Sequence, residues 1–95
     1  MRLTYDPAKR VRTLLERGLD FDDAVAVFAG MTFEALDDRR DYGEPRWQSF
    51  GLFDGRLITV VWTERDGGRH IISMRKCNDR EQRKFGRQLG SGHGS

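Results

Sequence analysis

The chain has 95 residues, of which 34% are charged and 37% hydrophobic, and its formal net charge is +2 at pH 7. This length suits one domain with a modest core and excludes a second core. No apolar run approaches the roughly 20 residues of a membrane-spanning helix, and no apolar signal-peptide core follows Met1. The single cysteine, Cys77, excludes an internal disulfide, so a cytoplasmic location is expected.

The charge is unevenly distributed along the chain. From Arg65 to the end there are eight basic and three acidic residues, whereas the preceding segment has nine basic and twelve acidic residues. Such a basic segment favours a polyanionic partner. The alternative interpretation is a solvated, arginine-rich surface without a partner.

Two helices are predicted in the first third of the chain. The first has Asp6 as its N-cap and Pro7 in its first turn, and it ends at Gly18. The second is capped by Asp20 and ends at Gly30. Residues with helical spacing are predicted to form the buried stripes of these helices. They are Val11, Leu14 and Leu15 in the first helix and Phe21, Ala24, Val25 and Phe28 in the second.

Four strands are predicted next. Residues 31–36 form the first strand, a charged loop covers residues 37–45, and residues 46–53 form the second strand. A tight turn at Asp54 and Gly55 leads into a hairpin of residues 57–65 and 69–76. After Lys76, Asn78 and Glu81 match a capping box, which predicts a third helix through about residue 88.

The hairpin of residues 57–76 is the centre of the predicted sheet. A three-residue turn at residues 66–68 pairs Arg65 with Arg69 and Thr59 with Arg75. Strand side chains alternate between faces, so one face is apolar and the other polar and cationic. The predicted apolar face carries Ile58, Val60, Trp62, Ile72 and Met74, with His70 on the same side. The predicted polar face carries Thr59, Thr63, Arg65, Arg69, Ser73 and Arg75.

The predicted fold is α+β, with the element order α-α-β-β-β-β-α. Strands joined by short turns indicate a mostly antiparallel four-stranded sheet with helices packed on one side. Residues 1–88 form the single domain, and residues 89–95 are expected to be a flexible Gly/Ser tail.

The predicted polar face suggests phosphodiester chemistry. Arginine side chains bind a phosphate bidentately and stabilise the charge that develops on its oxygens. If the RNA 2′-hydroxyl is the nucleophile, the protein needs to orient it, assist a proton transfer and stabilise charge, and no metal or other cofactor is required. Cysteine and histidine do not occur at metal-ligand spacing, and the glycine patterns of nucleotide-binding loops are absent.

Several segments of the chain form a recognisable pattern. They are Tyr5-Asp6-Pro7-Ala8-Lys9, Arg17-Gly18-Leu19-Asp20-Phe21-Asp22-Asp23-Ala24, Asp41-Tyr42-Gly43-Glu44-x-Arg46, Thr63-x-Arg65 and Arg69-His70-Ile71-Ile72-Ser73-Met74-Arg75-Lys76. With this pattern the sequence resembles the BrnT toxins of type II toxin–antitoxin systems, over residues 5 to about 86.

The resemblance implies a RelE-like ribonuclease fold and a cytoplasmic prokaryotic toxin that cleaves RNA and arrests translation and growth. It also implies a small DNA-binding antitoxin, BrnA, that neutralises the toxin and links it to operator DNA. Toxin and antitoxin dimers build the assemblies of the family, so a dimeric toxin within a hetero-oligomer is expected, with no membrane partner.

Three sets of functional residues are predicted. The catalytic set is Lys9, Arg17, Arg65, His70 and Arg75. The RNA-binding set is Arg69, Ser73, Lys76 and Arg80. The antitoxin-binding set is Trp47, Arg83 and Arg87, in a basic surface that acidic or amphipathic antitoxin elements would cover.

The sequence departs from the commoner family pattern at the end of the first helix. Glu16 and Arg17 stand where the family commonly has Lys-His, and guanidinium is a poor base because it stays protonated. Either His70 substitutes as the base, or cleavage depends on charge stabilisation alone, or this member is weakly active. Two functions without catalysis remain as alternatives: an RNA- or ribosome-binding inhibitor, and a co-repressor module that acts with its antitoxin.

Overall fold

The structure, a computed structural model, describes residues 2–89. It is an α+β domain whose sheet has five strands, one more than predicted. The elements, in chain order, are β1 (Leu3–Tyr5), α1 (Pro7–Arg17), a 3₁₀ turn (Phe21–Asp23), α2 (Ala24–Ala29), β2 (Thr32–Leu36), β3 (Trp47–Phe53), β4 (Arg56–Arg65), β5 (Gly68–Lys76) and α3 (Asp79–Leu89).

The sheet is mixed because the strand that the sequence analysis missed is parallel to its neighbour. The strand order is β1-β5-β4-β3-β2, and only the β1–β5 pair is parallel. β1 has three residues, too few for an alternation pattern to be visible in the sequence. Its addition corrects the predicted four-stranded sheet and the predicted element order.

The predicted ends of the helices are largely confirmed. The Asp6 carboxylate accepts a hydrogen bond from the Ala8 amide at 2.9 Å, and Gly18 adopts a left-handed conformation with φ 69°. Asp20 caps the 3₁₀ turn rather than an α-helix, so the second predicted helix is a short turn followed by six residues of α2. The capping box of Asn78 and Glu81 is formed at the start of α3.

Both hairpins of the sheet turn at an Asp-Gly dipeptide. Asp54 and Gly55 have φ angles of 53° and 76°, and Asp66 and Gly67 have 53° and 77°. Positive φ at both positions is the type I′ geometry that matches the twist of paired strands. The predicted three-residue turn is therefore wrong, since Gly68 already pairs with Arg65.

A β-bulge at Ile72 then restores the predicted pairing further along the hairpin. Trp62 pairs with Ile71, whereas the preceding residue of β4, Val61, pairs with Ser73, so β5 carries one extra residue there. As a result Ile71, not Ile72, joins Trp62 and Met74 in the core. The bulge also moves His70 to the face of Ser73 and Arg75, which corrects its predicted place on the apolar face.

Helices pack on both faces of the sheet, not on one as predicted. The face that carries Ile58, Val60 and Trp62, called the back face, is covered by residues that include Phe21 and Val27 of the 3₁₀ turn and α2. The opposite face, called the front face, carries Thr59, Val61, Thr63, Arg65, His70, Ser73 and Arg75. One end of it is covered by α3 through stacking of Phe85 on Phe50, with ring centroids 4.5 Å apart.

Leu89, the last residue of α3, packs against the front-face cluster of Phe50, Leu57 and Cys77. The helix thus includes one residue that the sequence analysis assigned to the tail. The remainder of the predicted tail, residues 90–95, lies outside the described residues. Within residues 2–89, every helix is too short or too polar to cross a lipid bilayer.

Candidate active site

His70 is held in a fixed orientation on the front face. Its backbone position in β5 pairs with Thr4 of β1, and its Nδ1 atom lies 2.8 Å from the Thr4 hydroxyl oxygen. Either atom can donate in this hydrogen bond, according to the imidazole tautomer. Within residues 2–89, Nε2 of His70 has no hydrogen-bond partner, so it is the ring nitrogen available to a substrate.

The surroundings of His70 favour the neutral imidazole. Partial burial lowers the pKa of His70 below its ordinary value of 6.5, and the positive charges of Arg65 and Lys9 lower it further. The carboxylates of Glu44 and Asp6 act in the opposite direction without reversing the effect. A neutral imidazole with a free nitrogen can accept a proton at neutral pH.

Lys9 and Arg65, whose positive charges act on His70, belong to two different elements. Lys9 is half-buried in the first turns of α1. This helix begins directly after β1, with Asp6 as its N-cap and Pro7 as its first residue. Arg65 ends β4, and its side chain is 48% exposed with Nη2 3.4 Å from a Glu44 carboxylate oxygen. We call Thr4, Lys9, Glu44, Arg65 and His70 the His70 cluster.

The His70 cluster brings together two kinds of chemical group. The neutral imidazole of His70 can accept a proton, and the cationic groups of Lys9 and Arg65 can bind a phosphate and stabilise negative charge on it. The Arg65–Glu44 contact is long and exposed, so it is a weak ion pair that a phosphate can replace.

Arg75 lies on the same face as Arg65 but at the other end of the hairpin. It pairs with Thr59, whereas Arg65 pairs with Gly68, and β4 covers about 20 Å between Thr59 and Arg65 at a rise of about 3.3 Å per residue. The guanidinium of Arg75 is bound by both carboxylate oxygens of Glu81, at 2.7 and 2.6 Å. Arg75 and Arg65 therefore do not converge on one phosphate.

Arg17 is also separated from the His70 cluster. About 12 Å of helix axis lies between Lys9 and Arg17, at about 1.5 Å per residue. The Arg17 guanidinium donates a hydrogen bond of 2.8 Å to the carbonyl oxygen of Met74, on the part of β5 that β1 leaves unpaired. This contact attaches α1 to the edge of the sheet.

Arg69 lies on the back face, which corrects its predicted place beside Arg65. The β4–β5 pairing puts it opposite Glu64, and its guanidinium carbon is 4.2 Å from the Phe28 ring centroid and 4.4 Å from that of Trp62. These are cation–π distances. Arg69 also lines a cleft of about 410 Å³ together with Trp47 and Glu64.

The other predicted binding residues are spread over the surface. Ser73 is half-buried on the front face, while Lys76 is exposed at the end of β5. Arg80, Arg83 and Arg87 are exposed on α3, which covers the front face. Trp47 lies on the back face, stacked on Trp62 with ring centroids 6.3 Å apart. The structure thus separates Trp47 from the two arginines predicted to bind the antitoxin with it.

Residues 5–81 match the family model described as the ribonuclease toxin, BrnT, of type II toxin–antitoxin systems. The chain belongs to the BrnT family. A search of curated proteins finds no match. Membership of the BrnT family makes this chain a toxin of the ribonuclease class whose system includes an antitoxin.

Two residues of the His70 cluster in this BrnT chain, Thr4 and Glu44, were not predicted from the sequence. Thr4 precedes the matched segment and belongs to the short strand β1, so only its place beside His70 in the sheet reveals it. Glu44 is part of the Asp41-Tyr42-Gly43-Glu44 motif, which the sequence analysis quoted without assigning it a role. Within residues 2–89, no three His, Cys, Asp or Glu side chains are grouped as a metal site.

Proposed function

We propose that this BrnT chain is an endoribonuclease that cleaves RNA without a metal ion and uses His70 as the general base. The observation that carries the proposal is the state of His70: within residues 2–89 its Nε2 has no hydrogen-bond partner, its Nδ1 is held by Thr4, and the positive charges of Lys9 and Arg65 act on it. Cleavage of cellular RNA by such a toxin arrests translation and growth.

In the proposed reaction, the Thr4 hydroxyl accepts a hydrogen bond from the Nδ1–H group, which leaves the lone pair of Nε2 as the base. Nε2 removes the proton of the RNA 2′-hydroxyl, and the 2′-oxygen attacks the adjacent phosphorus. The bond from phosphorus to the 5′-oxygen breaks, and that oxygen takes up a proton from His70 or from water. The products are a 2′,3′-cyclic phosphate and a 5′-hydroxyl.

Lys9 and Arg65 stabilise the negative charge that grows on the phosphate oxygens in this reaction. Donors placed for a developing oxyanion contribute about 3 kcal/mol each in other enzymes. Arg17 and Arg75 are proposed to support the site indirectly, because their guanidinium groups already bind Met74 and Glu81. RNA contacts by Ser73, Lys76 and Arg80, and by Arg69 from the opposite face, stay predictions.

The test is cleavage of a defined RNA oligonucleotide by the purified chain in the presence of EDTA. The wild-type protein is expected to produce fragments that end in cyclic phosphate, and His70→Gln is expected to lower the rate by about 10²–10⁴-fold. Arg75→Gln is the matched control on the same strand. This variant is expected to cleave RNA at the wild-type rate per folded molecule. Intact RNA with the wild-type protein, or full activity of His70→Gln, contradicts the proposal.

The proposed partner is a BrnA-like, DNA-binding antitoxin that neutralises the toxin in the cytoplasm and connects it to operator DNA. Acidic antitoxin elements are proposed to cover the front face near Arg65 and the exposed arginines of α3, Arg83 and Arg87. Charge reversal at these three residues is expected to weaken the complex. Binding that is unaffected by all three reversals contradicts this placement.

A further inference from the structure

The cleft beside Arg69 lies on the back face, at the turn end of the β4–β5 hairpin. It has a volume of about 410 Å³ and is lined by Trp47, Trp62, Glu64, Gly67, Gly68 and Arg69. A cleft of a few hundred cubic ångströms holds a small molecule or one group of a larger ligand. His70 and Arg65 lie on the front face, so the cleft is a second candidate site on the same hairpin.

Two opposite charges line the cleft without pairing. Glu64 and Arg69 are directly opposite in the β4–β5 ladder. The guanidinium carbon of Arg69 lies over the rings of Phe28 and Trp62, 4.2 and 4.4 Å from their centroids. Within residues 2–89, the side chains of Glu64 and Arg69 form neither an ion pair nor a hydrogen bond. Carboxylate acceptors and guanidinium donors are therefore both free for a ligand.

Trp47 adds an aromatic ring to the same cleft. Its indole is half-buried and is stacked on Trp62 at an interplanar angle of 27°. Unstacked bases of single-stranded RNA are bound on aromatic rings and are recognised by hydrogen bonds to their edges. A cleft with an indole, a carboxylate and a guanidinium suits a flat ligand whose edge carries both donors and acceptors.

We propose that this cleft binds a guanine base of the RNA substrate. The Watson–Crick edge of guanine has two adjacent N–H donors, at N1 and N2, beside the acceptor O6. Glu64 accepts from both donors, Arg69 donates to O6, and Trp47 stacks on the base. The RNA contact predicted for Arg69 is then made to a base. This inference rests on the proposed function and adds a base preference to it.

The two charges of the cleft disfavour other ligands. Adenine, cytosine and uracil each have an acceptor directly beside their donor on this edge, so one oxygen of Glu64 would face a lone pair. A site that hydrogen-bonds its ligand rejects one that leaves its polar groups unpaired. A phosphate would meet Glu64 as a like charge, and a basic side chain of a protein partner would meet Arg69 in the same way.

The turn between β4 and β5 lets one RNA strand reach both sites. Glu64 and Arg65 are neighbours in β4 and lie on opposite faces, and the same holds in β5 for Arg69 and His70. Gly67, at the turn, is exposed, and a Cβ there would have no atom within 4 Å. The RNA backbone therefore has room to pass around the turn. The bound guanine lies near the cut but is not the nucleotide whose 2′-oxygen attacks.

Binding of an RNA that cannot be cleaved tests the cleft separately from catalysis. The probes are 2′-O-methyl oligouridine strands with one central guanine, and matched strands with inosine or adenine in its place. Inosine differs from guanine only by the missing N2 amino group. By fluorescence anisotropy with the purified full chain, the guanine strand is expected to bind about tenfold more tightly than either other strand.

Glu64→Gln is expected to remove this preference, because an amide offers one acceptor and one donor where the carboxylate offers two acceptors. Glu16→Gln is the matched control. Glu16 is also exposed and without an ion pair in the described part of the chain, but it lies in α1. This variant is expected to keep the preference. Equal affinity for the guanine and inosine strands, or a preference that persists in Glu64→Gln, overturns the proposal.

Cleavage of the corresponding unmodified strands separates this proposal from the proposed function. The guanine strand is expected to be cut faster than the inosine strand. A wild-type chain that prefers guanine in binding but cuts neither strand supports the cleft and contradicts the proposed function. A chain that binds and cuts the two strands equally well contradicts the cleft alone.

Discussion

The hydroxyl oxygen of Thr4 lies 2.8 Å from Nδ1 of His70, and this hydrogen bond connects the first strand of the chain to the residue proposed as the base. β1 runs parallel to its neighbour β5, with which it pairs over three residues centred on Thr4 and His70. The short strand therefore has a defined task beyond completing the sheet edge. It orients the imidazole ring.

The first prediction concerns this orientation. Thr4→Val keeps the shape of the side chain but removes the hydroxyl, so the ring and its tautomer are no longer fixed. The cleavage rate is expected to fall about tenfold. This is less than the roughly 10²–10⁴-fold rate enhancement that a general base contributes, because the base itself is still present. Single-turnover cleavage measures the effect, with Thr4→Ser as the control that restores it. Equal rates for Thr4→Val and wild type would remove Thr4 from the site.

The second prediction concerns the pH dependence of cleavage. The proposed reaction uses neutral His70, whose pKa is lowered below 6.5 by burial and by the positive charges of Arg65 and Lys9. The rate is therefore expected to stay constant from neutral pH down to below 6.5 and then to fall as the imidazole is protonated. Arg65→Gln removes one of these positive charges and is expected to shift the acid limb of kcat/KM to higher pH. A shift to lower pH contradicts the assignment.

The third prediction concerns stability at acidic pH. The pKa of His70 is lower in the folded state than the value of 6.5 expected for the unfolded chain, so the folded protein binds fewer protons between the two values. The contribution of His70 to the free energy of unfolding is complete above pH 6.5, and it is lost as the pH falls from 6.5 to the lower pKa of the folded state. Urea unfolding should show a loss of stability below pH 6.5 that is smaller in His70→Gln. An equal loss in both proteins argues against the lowered pKa.

The fourth prediction separates the role of Arg75 from that of Arg65. The two hydrogen bonds between Arg75 and Glu81 hold the N-terminus of α3 against β5, and they raise the pKa of Arg75 and lower that of Glu81. Arg75→Gln is expected to reduce the free energy of unfolding by about 1 kcal/mol, a modest value because the Arg75 side chain is 34% exposed. Thermal unfolding measures the loss. A variant with wild-type stability but no cleavage would place Arg75 in the catalytic set instead.

The fifth prediction concerns a polar chain inside the back face. The Trp62 indole donates to the Ser49 hydroxyl at 2.8 Å, and Ser49 donates to Glu34 at 2.8 Å. Ser49→Ala leaves the indole N–H buried without an acceptor, which is expected to cost about 1–3 kcal/mol of the free energy of unfolding. Ser49→Thr keeps a hydroxyl and serves as the control in urea titrations. An unchanged midpoint for Ser49→Ala would show that water replaces the acceptor.

Local signals in the sequence were sufficient for the element ends. The Asp6 cap, the Gly18 stop, the Asp54-Gly55 turn and the Asn78–Glu81 capping box each depend on residues within a few positions of one another, and all are present in the structure. Such contacts satisfy backbone groups regardless of what packs around them. The strands after residue 31 were also located from local signals.

The register of the hairpin and the arrangement of the site could not be derived in this way. Strict alternation of side chains favoured a three-residue turn, although Asp66-Gly67 carries the same type I′ signal as Asp54-Gly55. A two-residue turn at Asp66-Gly67 keeps the apolar side chains of the hairpin on one face only because β5 has one extra residue, the bulge at Ile72. Such a bulge cannot be recognised from the alternation of side chains in the sequence. The error in register placed His70 with the core and Arg69 with Arg65.

The outward stripe of α1 shows a second limit of sequence patterns. Periodicity identified Val11, Leu14 and Leu15 as one face of a helix, which the structure confirms, but these side chains are 53%, 43% and 81% exposed, not buried as predicted. Periodicity does not say what that face contacts. The rotation of α1 is set by the contact of Arg10 with Asp20, beyond the end of the helix, and by that of Arg17 with Met74, which is 57 residues further along the chain. A helix can be located from its own residues, whereas its orientation depends on the rest of the fold.

The extra residue at Ile72 is the place in β5 where the strand can lose one residue without disturbing its two faces. If Ile72 were deleted, Ile71 and Ser73 would become neighbours and would still lie opposite Trp62 and Val61, so the ladder would become regular. The imidazole would remain in front and Ile71 behind. A one-residue deletion in this strand should therefore be tolerated best at Ile72.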